Sequence, residues 1–156
     1  PEDFQARTLP YLESAGVLSE PVSEEDMAKL TQIMPHVQER VGLLGEVPDL
    51  IRFVFLADDA IEIEADARKT LQDSSASVLE AAIAALEGLE TWNTASVEDV
   101  LRAAIVETME TSPRHAFGPL RVAISGRRIS PPLFESMEVL GRESSLARLR
   151  RLRAAL

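Results

Sequence analysis

Apolar residues recur at intervals of three and four along most of this 156-residue chain, the spacing of an α-helix rather than a strand. Met27, Leu30, Met34, Val37 and Val41 form one such series behind Ser23, with Asp26 three residues on, a pattern that resembles a capping box. Pro35 is expected to bend or split that helix. Leu79, Ile83, Leu86 and Glu90 trace a second face behind Ser74 or Ser75. Val100, Leu101, Ala104, Ile105, Thr108 and Met109 trace a third behind Ser96, and Leu146, Leu149 and Leu152 stripe a last helix after Gly141. Ile51–Leu56 and Leu120–Ile124 are β-like in composition, but each is short and could equally be a buried helical turn. The periodicity predicts an all-α fold.

The acid-rich stretch Ala57–Ala65 has no periodic face and interrupts two helical regions. It predicts a boundary between two small helical subdomains, residues 1–63 and 64–156. Pro48 and the pair Ser112-Pro113 mark further breaks. Asp58 and Asp59 read as an exposed acidic linker rather than as an acid/base pair.

An apolar content of 46% can supply a core for a chain of this length. No apolar run approaches the roughly 18 residues of a membrane span, and Pro1-Glu-Asp-Phe-Gln lacks the basic and then apolar start of a signal peptide. The absence of cysteine excludes disulfides and thiolate chemistry and fits a cytoplasmic setting. His36 and His115 stand far apart without an HExxH pattern, so no metal site is expected. No Gly-rich phosphate loop and no GxSxG occurs, and no residue is assigned a catalytic role.

The net charge of -10 is unevenly spread. Residues 1–113 hold 7 Lys+Arg and 23 Asp+Glu, whereas residues 114–156 hold 9 arginines, no lysine and 3 glutamates. Planar guanidinium forks suit phosphates and base edges, although a solvated helix face would also account for the charge.

The basic end carries a more specific signal. Phe117-Gly-Pro-Leu-Arg-Val-Ala-Ile-Ser-Gly126, then Ser130-Pro-Pro-Leu-Phe-Glu135 and Leu140-Gly-Arg-Glu143, resembles the C-terminal end of bacterial glutamyl-tRNA synthetases, with their PLRxAxTG block, proline turn and LGKE or LGRE. Upstream, Glu39–Phe55 is similar to that family's helix pair ending in (R/K)(F/Y)(L/V)F, and Pro10-Tyr-Leu-Glu-Ser-Ala-Gly16 to its xxFLxxAG helix. Ser125 stands where threonine is usual, and Gly118 where several relatives carry a polar side chain.

The resemblance implies the anticodon-binding part of a glutamate–tRNA ligase, all-helical and in two subdomains. A chain that begins at a proline reads as a piece of something longer. The catalytic Rossmann half, which uses ATP and Mg, would be another part of the same parent chain, and this fragment would need no cofactor. The implied partner is tRNA(Glu), with tRNA(Gln) left open. Matched residue by residue, Arg121, Arg128, Ser130, Pro131 and Leu133 fall on the turn that lies against the anticodon, and Arg40 falls on the base-reading arginine. Leu133 could equally be core, and Pro131 could serve only to shape the turn. Arg142, Arg148, Arg150, Arg151 and Arg153 have no motif assignment and read as a diffuse phosphate-attracting or solvated face. The alternative from a different class is a helical adaptor whose arginines pair with an acidic protein.

Overall fold

The computed structural model describes residues 2–19, 21–38 and 43–156, with only the backbone of Arg114. Among the described residues it is all-α, without strands. Helices α1 (Glu2–Ser14), α2 (Glu24–Val37) and α3 (Val47–Phe55) pack on one another. A linker with one 3₁₀ turn at Asp58–Ala60 leads to the single turn α4 (Ala65–Arg68). Then come α5 (Ser75–Glu87), α6 (Thr94–Leu101), α7 (Pro113–Ser125) and α8 (Leu133–Ala155), with α8 touching each of α5, α6 and α7. Both α2 and α3 also lie against α8, and one hydrophobic cluster runs from Leu12 to Leu152.

Local chemistry starts α2 and α7 where the sequence signals them, and α6 one cap earlier. Ser23 caps α2, its Oγ accepting the Asp26 N–H at 3.1 Å. Ser112 caps α7 with Pro113 in its first turn, where the missing N–H costs nothing. The cap of α6 is Asn93 rather than Ser96: Asn93 Oδ1 accepts the Ser96 N–H at 2.8 Å, so the helix begins earlier than the apolar series suggests. Pro35 sits within the last turn of α2, which runs on to Val37 unsplit. At that end of the helix a missing N–H removes one late hydrogen bond and leaves the earlier turns intact.

The two β-like runs are helical. Val47, Pro48, Leu50, Ile51, Phe53 and Val54 are all buried in α3, which is covered by α1 and α2 and also meets α7 and α8. A helix enclosed on most sides has little polar face, and that makes its composition resemble a buried strand. Leu120, Val122, Ala123 and Ile124 are likewise buried in α7.

Helix α8 breaks once, at Gly141 (φ 86°, ψ 171°), a backbone region that is essentially confined to glycine. Across the break, Trp92 Nε1 and Ser145 Oγ both donate to the Met137 carbonyl, at 2.9 and 3.3 Å. Beyond it, Leu146, Leu149 and Leu152 face the core as their spacing predicts. Burial of each contributes about 1.5–3 kcal/mol.

Candidate nucleic-acid interface

Helix α7 ends at Gly126, whose left-handed backbone (φ 74°) turns the chain toward α8. Ser125 Oγ lies 2.9 Å from the Arg121 carbonyl and 3.2 Å from the Arg127 carbonyl, and accepts the Arg127 N–H at 3.1 Å. That hydroxyl stitches the last helical turn to the residues after it. Threonine would supply the same group, so serine at 125 changes little.

The turn is also fastened from outside. The Glu64 N–H donates to the Gly126 carbonyl at 2.8 Å, and Arg127 Nε pairs with the Glu64 carboxylate at 2.7 Å. Arg127 Nη1 donates to the Asp49 carbonyl in α3. A Cβ on Gly126 would lie 3.0 Å from the Glu62 carbonyl carbon and closer still to its oxygen, so glycine is required for close approach as well as for φ.

Between α7, this turn and the α4–α5 connector lies a polar groove of about 500 Å³. Arg121, Arg127 and Arg128 line it from one side, Lys69, Thr70 and Gln72 from the connector, and His115 and Gly118 from the start of α7. No carboxylate lines it among the described residues, in a chain with 26 of them. A Cβ on Gly118 would meet nothing within 4 Å, so a polar side chain in relatives would project freely where this chain leaves space.

Of the residues assigned from sequence, the structure brings Arg121 and Arg128 into this groove. Ser130, Pro131 and Leu133 do not line it. Ser130 Oγ donates to the Pro131 carbonyl at 3.2 Å, Pro131 is buried, and Leu133 is 4% exposed at the start of α8 as part of the core. Between Arg128 and Ser130, Ile129 is 74% exposed, an aliphatic side chain that the resemblance did not single out. Arg40 lies outside the described residues.

The reading of the late arginines as a diffuse or solvated face is corrected for Arg148, which is buried, and for Arg142, which is half-buried; Arg150 and Arg151 are exposed, as that reading has them, but are engaged by the protein's own groups. Arg148 is buried: its Nε pairs with Asp58 at 2.8 Å, and its Nη groups donate to the carbonyls of Ile124 (2.8 Å) and Leu56 (3.0 Å). Burial lowers its pKa, while the hydrogen bond and charge of Asp58 oppose that shift. Arg151 donates to the carbonyls of Ile61 (2.7 Å) and Asp58 (3.3 Å), which fixes the linker against α8. Arg142 reaches the carbonyls of Leu86 (3.2 Å) and Leu89 at the end of α5 and stands 5.4 Å from the centre of the Trp92 ring. Arg150 and Arg153 pair with Glu87 and Glu80 of α5. Asp58 is correspondingly more than an exposed linker acid. These arginines satisfy the end of one helix and tie the linker and α5 to α8, the side chains meeting acids supplied by the first part of the chain. A sequence signal existed for Arg148: with Ser145, Leu149 and Leu152 it completes an i, i+3, i+4, i+7 set on the buried face.

An all-helical scaffold with a basic groove free of carboxylates defines a domain suited to holding a polyanion. The chain belongs to the anticodon-binding-domain family: the family model described as "Anticodon binding domain" matches residues 3–153. It is 55% identical to a glutamate–tRNA ligase of Kineococcus radiotolerans, over 100% of this chain and 31% of that protein. It is 50% identical to that of Arthrobacter sp. (strain FB24), over 97% of this chain and 30% of that protein. The chain thus spans about a third of the length of these relatives. Among solved structures it is similar in fold to a glutamate tRNA ligase from Elizabethkingia meningosepticum, with a TM-score of 0.77 at 20% identity, covering 97% of this chain and 29% of that one. Among the described residues no helix is long and apolar enough to cross a membrane.

Proposed function

We propose that the chain binds the anticodon stem-loop of tRNA(Glu), as the anticodon-recognising part of a glutamate–tRNA ligase. The observation that carries this reading is the convergence of Arg121 and Arg128, with Arg127 and Lys69, on one groove without carboxylates. An anticodon loop presents unstacked bases with free Watson–Crick edges and a bent line of phosphates, which single-strand recognition reads by side-chain hydrogen bonds and stacking. Phosphate contacts from the groove fix the register, and base contacts next to it choose the sequence. Ser130 and Pro131 contribute by shaping the turn that carries Arg128. The acidic remainder of the molecule repels RNA elsewhere.

In the parent protein, the remaining two thirds would supply ATP, Mg and glutamate binding, and whether tRNA(Gln) is also charged would be set there and at Arg40. The division near residue 63 belongs to this proposal: α1–α3 would carry Arg40, and α5–α8 the groove. Gel-shift titration of the chain with glutamate tRNA tests it. Binding should weaken with salt and with anticodon substitution; affinity indifferent to the anticodon would overturn it. Glutamate-dependent charging by the chain alone would contradict the assignment of catalysis to the rest of the parent.

A further inference from the structure

The groove has a second wall that no sequence motif marks. The connector after α4 is rigidly set: the Lys69 N–H donates to the Ala65 carbonyl at 3.2 Å, Thr70 Oγ1 donates to the Ala67 carbonyl at 2.6 Å, and the Gln72 N–H donates to Ser75 Oγ at 2.8 Å. Its approach to α7 is fixed by the Glu64–Gly126 hydrogen bond and the Glu64–Arg127 pair, the same contacts that hold the Arg128 turn. Lys69 and Arg128 therefore stand on two supports locked to one anchor, facing one groove.

Lys69 is exposed and has no carboxylate partner among the described residues, although Asp66 and Asp73 lie within four positions. The Asp66 carboxylate is engaged by the Ala67 N–H at 2.8 Å. Four other cations in the first part of the chain pair with a nearby acid, Arg7 with Asp3, Lys29 with Glu25, Arg52 with Asp49 and Arg102 with Glu98, whereas Arg68, like Lys69, has no carboxylate partner among the described residues but borders a different cavity. An ammonium without a carboxylate partner that lines the same groove as Arg121 and Arg128 is placed to meet a phosphodiester lying between the two walls. A compact ammonium on a flexible stem suits such a point contact.

We propose that Lys69 binds a backbone phosphate of the RNA strand in this groove, opposite Arg121 and Arg128, so that the strand is gripped from both walls. The inference rests on the function proposed above and adds a residue that charge distribution alone would have passed over, since it lies in the acidic part of the chain.

The test is titration of the chain and its variants with a glutamate tRNA anticodon stem-loop, and with one altered at the third anticodon base, across a salt series. Lys69→Ala should weaken binding about three- to tenfold and lower the salt slope by roughly 0.7, equally for both stem-loops. Lys69→Arg should restore most of the affinity. Arg68→Ala, whose side chain borders a different cavity beside Asp58 and Ile61, is the charge-matched control and should have little effect. Wild-type affinity and slope in Lys69→Ala, with an Arg121→Ala/Arg128→Ala protein weakened, overturns the role of Lys69 while leaving the groove. Equal losses in Lys69→Ala and Arg68→Ala overturn it too, since the effect is then general charge. If the double variant also binds as wild type, the groove reading itself falls.

Discussion

The carboxylate of Asp58 and the guanidinium of Arg148 meet at 2.8 Å across 90 residues of sequence, and they fix the linker to the last helix. Arg148 is 2% exposed and both its Nη groups already donate to carbonyls, so without Asp58 its Nε would be left with only the water that enters from the carboxylate's solvent-facing side. Asp58→Ala should therefore destabilise the fold by about 3 kcal/mol, the low end for an uncompensated buried charge because Asp58 itself reaches solvent. Adding Arg148→Met should recover part of the loss. Urea denaturation of the single and double variants measures this, and a single variant within 0.5 kcal/mol of wild type would contradict it.

The pH dependence follows from the same pair. Burial holds the Arg148 pKa below its unfolded value. Below both values the arginine is charged in either state and its contribution is flat; stability would gain from this group only as pH climbs through the folded value toward the unfolded one. Melting temperature across the neutral range should therefore carry no component that disappears in Arg148→Met.

Arg127 and Glu64 are both partly exposed, which caps their worth to stability at about 1 kcal/mol. Their effect on RNA binding should be larger, because they set the turn that presents Arg128. Arg127→Ala is expected to leave the melting temperature within a few degrees of wild type while weakening stem-loop affinity severalfold. Affinity that follows stability alone would deny it a positioning role.

Gly126 and Gly141 should respond differently to alanine. At Gly141 a methyl group meets open space, so Gly141→Ala costs only the backbone strain, about 1–3 kcal/mol. At Gly126 the methyl would also collide with the Glu62 backbone and must push the linker away. Gly126→Ala should lower both stability and RNA affinity, and thermal melts paired with gel shifts separate the two cases.

On the proposed function, base choice would rest on Arg40. An arginine has only donors, which match the N3 and O2 acceptors of cytosine and face like groups on the Watson–Crick edge of guanine. Glutamine both donates and accepts, so Arg40→Gln should narrow the preference for C over G at the third anticodon position. The wild-type preference should be about 1–3 kcal/mol, by analogy with bidentate base contacts in DNA. An identical C-to-G affinity ratio in both proteins would exclude Arg40 as the reader.

Helix periodicity made most of the fold legible, while Arg121 and Arg128 were singled out only by the family resemblance, and the structure places both in one groove. What stayed hidden depended on partners far along the chain. Ile51 and Phe53 look like strand residues until α1, α2, α7 and α8 are seen around them. Arg150 and Arg153 look available until α5 brings Glu87 and Glu80 beside them, and their alanine variants should leave RNA binding unchanged. Lys69 sits in an acidic context, and only the docking of the linker on Gly126 carries it across to the arginines.

The inward use of the late arginines also bears on how the molecule meets a polyanion. With Arg148, Arg150 and Arg153 each paired with an acid of the protein's own, a body of net charge -10 keeps a local cluster of cations at the groove, whose lining among the described residues holds no carboxylate. On the proposed function, an RNA drifting toward it would be turned away over most angles of approach and drawn in over a narrow one. Orientation would then be selected during diffusion, before any hydrogen bond forms, and sliding over wrong faces would be short-lived.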